Sequence, residues 1–375
     1  MNKFRKFEEN LMRRLLKEAA HYQGQTGLNP VVAAAVYNDN MKIIALACHE
    51  REGEAHAEVR ALNIAGSEAH GQYLMVTLEP CSHVGRTGAC TKAIIQAKIA
   101  KVIYAMQDPN PLVRKQESKA ILEAAGIQVK SGLMKDRAEV LNKVYLTNIL
   151  KKRCYVTMKV AMSMDGKIAP SNRRSRYITG KKSLRQVHLL RAQHHAILVG
   201  VGTILQDNPS LTVRINTKRK YNQPLKIILD PFLKTPCETK CLDENTILVH
   251  IKNQQVPSQL KEKGLRFWPL IEENQDLNWH RFFKFCLQEK IASLFIEGGQ
   301  QVFSSILKAK AFDECHLFLA PMFIAGSGAL SPFSINAFVG LEDSLNLEIE
   351  EISKRCLPDL WLRTKIKKNE KEQAL

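Results

Sequence analysis

The chain has 375 residues, 45% of them hydrophobic and 25% charged, with nine cysteines and a formal net charge of +18. That length allows two cores and that balance excludes disordered and fibrous classes; no apolar run reaches a membrane span or a signal-peptide core, so a cytoplasmic protein with reduced thiols is expected. The basic excess suits either nucleic acid or phosphorylated small molecules, but its clusters at 151–153, 173–176, 218–220 and 365–371 lack the interleaved aromatics of single-strand binders, so most of it reads as solvated surface.

Helical spacing at Phe4, Phe7, Leu11 and Leu15 predicts a helix over 4–22. Strands Val31–Tyr37 and Lys42–Cys48 follow, paired across Asn38-Asp39-Asn40. A helix over Ala55–Ala65, stopped by Gly66, would carry His56 and Glu58 in its first turn. Strand Tyr73–Leu78 runs into the turn Glu79-Pro80-Cys81, and Cys90 opens a helix to Ala97. Strand Lys101–Met106, a helix over 116–125 capped by Gly126, and strand Ile127–Lys130 continue the α/β alternation. A helix over 135–150 leads to Lys151-Lys152-Arg153, read as the boundary between domains 1–150 and 151–375.

The second domain opens with strand Cys154–Ala161, helix 181–193 and strand Ala196–Gly200. Strands Lys226–Asp230 and Thr246–His250, a helix over 278–287, strand Ser293–Glu297 and a helix over 300–309 come next. Late strands near 313–320, 346–352 and 358–364 predict a mixed sheet with an antiparallel edge. The last ten residues are expected to be disordered.

His56, Cys81 and Cys90 are ligands of the types zinc prefers, and three of them leave a fourth position for water, as a catalytic site requires. Glu58 is not needed as a ligand and is free to move protons. His-x-Glu followed by Pro-Cys and a further Cys is the signature of zinc nucleobase deaminases, whose cysteines usually stand as Cys-x-x-Cys. Here eight residues, Ser82 to Ala89, separate them. Both ligand segments are expected at helix N-termini beyond strand ends, where the macrodipole favours thiolates. Cys48, Cys154, Cys286, Cys315 and Cys356 lie among apolar residues and read as core thiols. Cys237-x-x-x-Cys241 has no His/Cys partner pair nearby to complete a second metal site.

In the second domain, Phe295-Ile296-Glu297-Gly298-Gly299-Gln300 reads as a strand, a glycine pair and a helix start, and Gly200-Val201-Gly202-Thr203 forms a similar turn. Glycines let a phosphate approach backbone N–H groups at such a turn. Two of them leave a dinucleotide site and ordinary strand–helix turns equally open, and no G-x-G-x-x-G supports a Rossmann fold.

The runs His49…His56-Ala57-Glu58-Val59-Arg60-Ala61-Leu62 and Thr77-Leu78-Glu79-Pro80-Cys81-Ser82-His83-Val84-Gly85-Arg86-Thr87-Gly88-Ala89-Cys90, with Asp108-Pro109-Asn110-Pro111, closely resemble the deaminase half of the bifunctional riboflavin-biosynthesis deaminase–reductases. The runs 159–169, Tyr177-Ile178-Thr179-Gly180, Leu190-Arg191-Ala192, 196–203, 207–214 and Glu297-Gly298-Gly299 are similar to that family's reductase half. The resemblance implies a cytidine-deaminase-like three-layer α/β/α domain followed by a dihydrofolate-reductase-like α/β domain. It implies hydrolytic deamination of 2,5-diamino-6-(5-phosphoribosylamino)pyrimidin-4-one, then NADPH-dependent reduction of the ribosyl group of the resulting aminouracil to ribityl.

Carried over by motif, His56, Cys81 and Cys90 would bind Zn²⁺ and Glu58 would shuttle protons, with Asn29, His49, His83, Arg86 and Thr87 lining the pocket. Ala161, Tyr177, Thr203, Asp207 and Gly299 would contact NADPH. Ser175, Arg191, Leu211, Arg214 and Glu297 would contact the second substrate, and Lys159 or Asp207 would assist proton movement. The chain departs from the family pattern at Ala33, at Gly88-Ala89, across 112–116, at Tyr177 in place of Trp, and at Pro231. The expected partners are phosphorylated pyrimidines, with no nucleic acid and no membrane, and room is left for a homo-oligomer. The rival readings are a transfer-RNA deaminase, which the basic charge favours, and a zinc-stabilised scaffold without turnover.

Overall fold

The computed structural model describes residues 4–82, 88–111, 118–173, 177–215, 221–274, 277–334 and 344–367. It divides into two compact units, Met1–Lys152 and Arg153–Leu375. The first contains α1 (Lys6–Ala20), β1 (Ala33–Tyr37), β2 (Ile43–Cys48), α2 (Ala57–Ala65), β3 (Tyr73–Leu78), α3 (Cys90–Gln96), β4 (Lys101–Met106), α4 (Ser118–Ala124), β5 (Gln128–Ser131), α5 (Lys135–Leu141) and α6 (Lys143–Lys151).

Helix α1 buries Leu11, Met12, Leu15, Leu16 and Ala19 on one face, the three-and-four spacing of a core-facing stripe. Phe4 and Phe7, expected in that stripe, are only partly buried beside it. The same helix buries Glu8, whose carboxylate accepts from Lys101 Nζ at 2.6 Å, Tyr37 OH at 3.1 Å and the Arg5 N–H at 2.9 Å. Those partners make the buried charge tolerable.

The sheet runs β2-β1-β3-β4-β5, with β1 antiparallel to β2 and β3 and the remaining pairs parallel. Strands β1 and β4 are buried at every position, the pattern of strands covered on both faces. Helices α1 and α5 pack together, as do α2 with α3 and α3 with α4, giving helix layers on either side of the sheet. The single helix expected over 135–150 is broken at Asn142, whose φ of −100° and ψ of 21° leave the helical region. Its side chain instead pairs with Val31, accepting from the N–H at 2.9 Å and donating to the carbonyl at 3.2 Å. Of the helix expected over 116–125, residues 116 and 117 lie outside the described residues.

The second unit contains β6 (Tyr155–Ser163), α7 (Lys181–Ala192), β7 (Ala196–Gly200), α8 (Val201–Asp207), β8 (Leu225–Leu229), β9 (Thr246–Ile251), α9 (Ser258–Lys261), β10 (Arg266–Ile271), α10 (Trp279–Gln288), β11 (Ser293–Gly298), α11 (Gln300–Lys308), β12 (Glu314–Ala320), β13 (Leu347–Ser353) and β14 (Leu360–Ile366). Its nine-stranded sheet runs β10-β9-β8-β7-β11-β6-β12-β14-β13. It is parallel from β10 to β12 and antiparallel across β12, β14 and β13, so the mixed sheet with an antiparallel edge is observed. Strand β10, which contains Pro269, was not among the expected strands; it lies at a sheet edge, where a missing N–H costs little.

Cys48, Cys154, Cys286, Cys315 and Cys356 are all buried and outside any disulfide. Cys241 is buried and Cys237 faces Gln259, 3.7 Å from its side-chain oxygen. Among the described residues no helix is long and apolar enough to cross a membrane.

Candidate active site

His56 is not in the first turn of a helix but is the N-cap of α2, with extended backbone (φ −65°, ψ 158°). Glu58 follows in the first turn and is buried. Cys81 stands in the turn after β3 and Cys90 is the first residue of α3. The two cysteine segments are bonded to each other: the Thr91 N–H donates to the Cys81 carbonyl at 3.1 Å, and the Cys90 N–H points to Cys81 Sγ at 3.5 Å. Strand ends and helix starts thus converge on one point.

The three donor atoms form a tight triangle. His56 Nδ1 lies 3.2 Å from Cys90 Sγ and 3.5 Å from Cys81 Sγ, and the sulfurs are 3.3 Å apart. A tetrahedral zinc with bonds of ~2.3 Å to sulfur and ~2.0–2.1 Å to nitrogen places such donors about 3.5 to 3.8 Å apart. The triangle therefore needs to open by only a few tenths of an ångström. Its donors are one imidazole and two thiols, a set that suits zinc and not magnesium or calcium. Among the described residues this is the His/Cys/Asp/Glu cluster able to hold a metal ion.

Hydrogen bonding between the sulfurs lowers the Cys81 thiol to about 4, with His56 adding to the effect, while the same contact raises that of Cys90. A bound cation favours the ionised form of both sulfurs, because the metal ligand is the thiolate. The hydrogen bond to Cys81 raises the His56 pKa. Burial pushes Glu58 up to about 7, against the pull of His56, and so into the range where a carboxyl group exchanges protons near neutrality.

A cavity of about 360 Å³ opens over this cluster, bordered by His56, Glu58 and Cys81. Asn29 and His49 also line it, joined by a 3.3 Å contact between Asn29 Nδ2 and His49 Nε2. Burial lowers the His49 pKa, which favours the neutral ring. The segment between His49 and His56 is anchored by Arg60, which bonds Glu50 at 2.7 Å and Glu54 at 3.3 Å. His83, Arg86 and Thr87 lie outside the described residues, as does Ser175 of the second unit.

The sequence reading gave no role to Glu79, Asp108, Tyr145 or Ile149, all of which line the cavity. Tyr145 and Ile149 are one helical turn apart on α6, a spacing that puts them on one face. Asp-Pro-Asn-Pro was visible as a motif, but nothing in it points to Tyr145.

In the second unit four of the expected cofactor and substrate residues stand on the neighbouring strands β6 and β11 or on the helix that follows β7. Ala161 is on β6, Glu297 on β11, and Thr203 and Asp207 on α8, which follows β7 directly. Gly298 has a φ of +123°, and a Cβ there would lie 3.0 Å from the Phe303 ring, so only glycine fits. A Cβ on Gly299, the N-cap of α11, would lie 3.1 Å from Thr203 Oγ1. The turn after β11 is thereby drawn against the start of α8, and the free N–H groups opening α11 suit a phosphate. A close backbone turn opening a helix is the kind of place where a phosphate is held.

Arg191 forks onto Glu297, with Nε and Nη2 donating at 2.5 and 2.9 Å, and its Nη1 donates to the Thr212 carbonyl at 3.0 Å. It therefore ties α7 to the segment carrying buried Leu211 and exposed Arg214, whose N–H donates to His188 Nδ1 at 3.2 Å. Lys159 Nζ stands 3.9 Å from Glu297 Oε2, and burial lowers its pKa. Tyr177 is 66% exposed, open to a partner rather than packed.

A zinc-type deaminase site on one sheet and a nucleotide-type cradle on another, in a single chain, define the class: a deaminase joined to a reductase. The profile of the cytidine and deoxycytidylate deaminase zinc-binding region matches residues 5–106, and that of the RibD C-terminal domain matches 154–357. The chain is 38% identical over 351 residues to the riboflavin biosynthesis protein RibD of Aquifex aeolicus, covering 93% of this chain and 96% of that one. To RibD of Escherichia coli it is 34% identical, covering 95% and 98%. The structure of Acinetobacter baumannii RibD, form 1, superposes with a TM-score of 0.87 at 30% identity over 97% of this chain and 99% of that one.

The chain belongs to the RibD family of bifunctional riboflavin-biosynthesis enzymes. It is a zinc- and NADPH-dependent deaminase and reductase.

Proposed function

We propose that residues 1–150 deaminate 2,5-diamino-6-(5-phosphoribosylamino)pyrimidin-4-one and that residues 151–375 reduce the ribosyl group of the product, 5-amino-6-(5-phosphoribosylamino)uracil, to ribityl. A solved Thermotoga maritima protein, described as a diaminohydroxyphosphoribosylaminopyrimidine deaminase and 5-amino-6-(5-phosphoribosylamino)uracil reductase, is 28% identical to this chain with a TM-score of 0.84, covering 96% of it. That likeness supports the substrate choice. The single observation that carries the reading is the buried Glu58 carboxyl beside three converging zinc-type donors.

His56, Cys81 and Cys90 would hold the zinc, which supplies, when bound, a water of lowered pKa. Glu58 would take a proton at its carboxylate and return it to the departing amino nitrogen, so that water is consumed and ammonia leaves. With a pKa of about 7 it can do both near neutrality. Neutral His49, held by Asn29, would orient the pyrimidine as a hydrogen-bond partner, and His83, Arg86 and Thr87 are assigned to the same pocket by motif.

In the second unit Ala161, Tyr177, Thr203, Asp207 and Gly299 would bind NADPH, the hydride source. Arg191, Leu211, Arg214, Glu297 and, by motif, Ser175 would position the sugar phosphate. Lys159, desolvated against Glu297, is better placed than exposed Asp207 to release a proton. We place the protein in the cytoplasm, acting on phosphorylated small molecules and not on nucleic acid or membranes.

Zinc-loaded protein given the diaminopyrimidine should release ammonia without NADPH, and should oxidise NADPH once the deaminated product is present. Absence of ammonia release rejects the first assignment, and absence of NADPH oxidation rejects the second.

A further inference from the structure

The zinc cluster borders the cavity, and part of the lining comes from elsewhere in the chain. The zinc-binding region shared with cytidine deaminases ends at residue 106, whereas Asp108, Asn110, Tyr145 and Ile149 line the same cavity from beyond it. A wall that the general deaminase region does not supply is where contacts particular to this substrate belong.

That wall is built around one carboxylate. Asp108 is 5% exposed. Its Oδ1 accepts from Tyr145 OH at 2.8 Å and from the Asn110 N–H at 2.9 Å, while its own N–H donates to Glu79 Oε2 at 3.1 Å. Both described hydrogen bonds to the carboxylate thus end on the same oxygen. Burial holds the Tyr145 phenol protonated well above its ordinary range, so toward Asp108 it acts as a donor.

Tyr145 is itself held in register. Asn142, three residues earlier, is the N-cap of α6 and is pinned to both the N–H and the carbonyl of Val31. Val31 follows Asn29 and Pro30, which also line the cavity. One helix start therefore holds two separate stretches of the pocket lining.

We infer that Tyr145 is a positioning residue of the deaminase pocket, occupying Oδ1 of Asp108 so that Oδ2 is held as the acceptor for a hydrogen-bond donor of the aminopyrimidine substrate. The inference rests on the deaminase reading above. A contact of this kind is made to the substrate as bound and persists through the reaction, so its loss weakens binding more than turnover.

The test is steady-state ammonia release by zinc-loaded full-length protein. Tyr145→Phe, which removes only the hydroxyl, should raise KM about tenfold and change kcat less than twofold, with zinc content and melting temperature retained. Asp108→Asn should raise KM at least as much, and the double variant should be no worse than Asp108→Asn alone, because the two groups act through one oxygen pair. A Tyr145→Phe enzyme with wild-type KM, a loss confined to kcat, or additive effects in the double variant overturns the inference while leaving the deaminase assignment standing. Wild-type protein that holds zinc yet releases no ammonia overturns both.

Discussion

At the residue scale, His56, Cys81 and Cys90 bring one imidazole nitrogen and two sulfurs within 3.5 Å of one another beside the buried Glu58, an arrangement that the motif His-x-Glu, then Pro-Cys, then Cys90 leads one to expect. Spacing could not show that His56 caps α2 rather than entering it, a difference set by one extended ψ. Nor could it show that Arg191 and Glu297, 106 residues apart, form a two-pronged pair. That pair carries a prediction. Arg191→Lys keeps the charge but loses the planar fork and the bond to Thr212, and lysine does not replace arginine at such a site. The expected outcome is a rise of about tenfold in KM for the reductase substrate with intact folding, read from NADPH oxidation kinetics and circular dichroism.

At the scale of elements, periodicity located most helices and strands. It failed where a long-range contact decides local structure. The helix read over 135–150 breaks because Asn142 bonds Val31 across the fold, and α8 was hidden in a glycine turn. Periodicity also gave no warning that Glu8, on the buried face of α1, meets Lys101 on β4. Lys101→Met leaves that carboxylate buried without its cation and is expected to cost about 3–5 kcal/mol, measured by chemical or thermal unfolding. Although burial itself opposes ionisation, Lys101 and the Arg5 N–H hold the Glu8 pKa below its ordinary 4.5. Its contribution to stability is therefore complete above that value and is lost as the pH falls through the folded pKa. A Glu8→Gln variant should accordingly lose less stability than the parent as the pH falls below 4.5. At the end of β11, Gly298→Ala meets both a positive φ and the Phe303 ring. It is expected to weaken NADPH binding by an order of magnitude or more in a fluorescence titration.

At the scale of the whole molecule, two sheets with separate cores carry two chemistries, and the order deaminase then reductase was readable from the motifs alone. What the sequence did not disclose is the pairing of Asp108 with Tyr145 in the lining of the first pocket, because the two meet only through the tertiary fold. Removing zinc with a chelator should abolish ammonia release while leaving NADPH oxidation on pre-deaminated substrate within twofold, since none of His56, Cys81 and Cys90 belongs to the second unit. The most direct measurement compares ammonia release by wild type and Glu58→Gln at equal, verified zinc content. A fall of at least about a thousandfold with zinc undiminished is expected if the Glu58 carboxylate moves the proton. Turnover within a few fold of wild type would contradict that role and, with it, the assignment of this pocket as the deaminase centre.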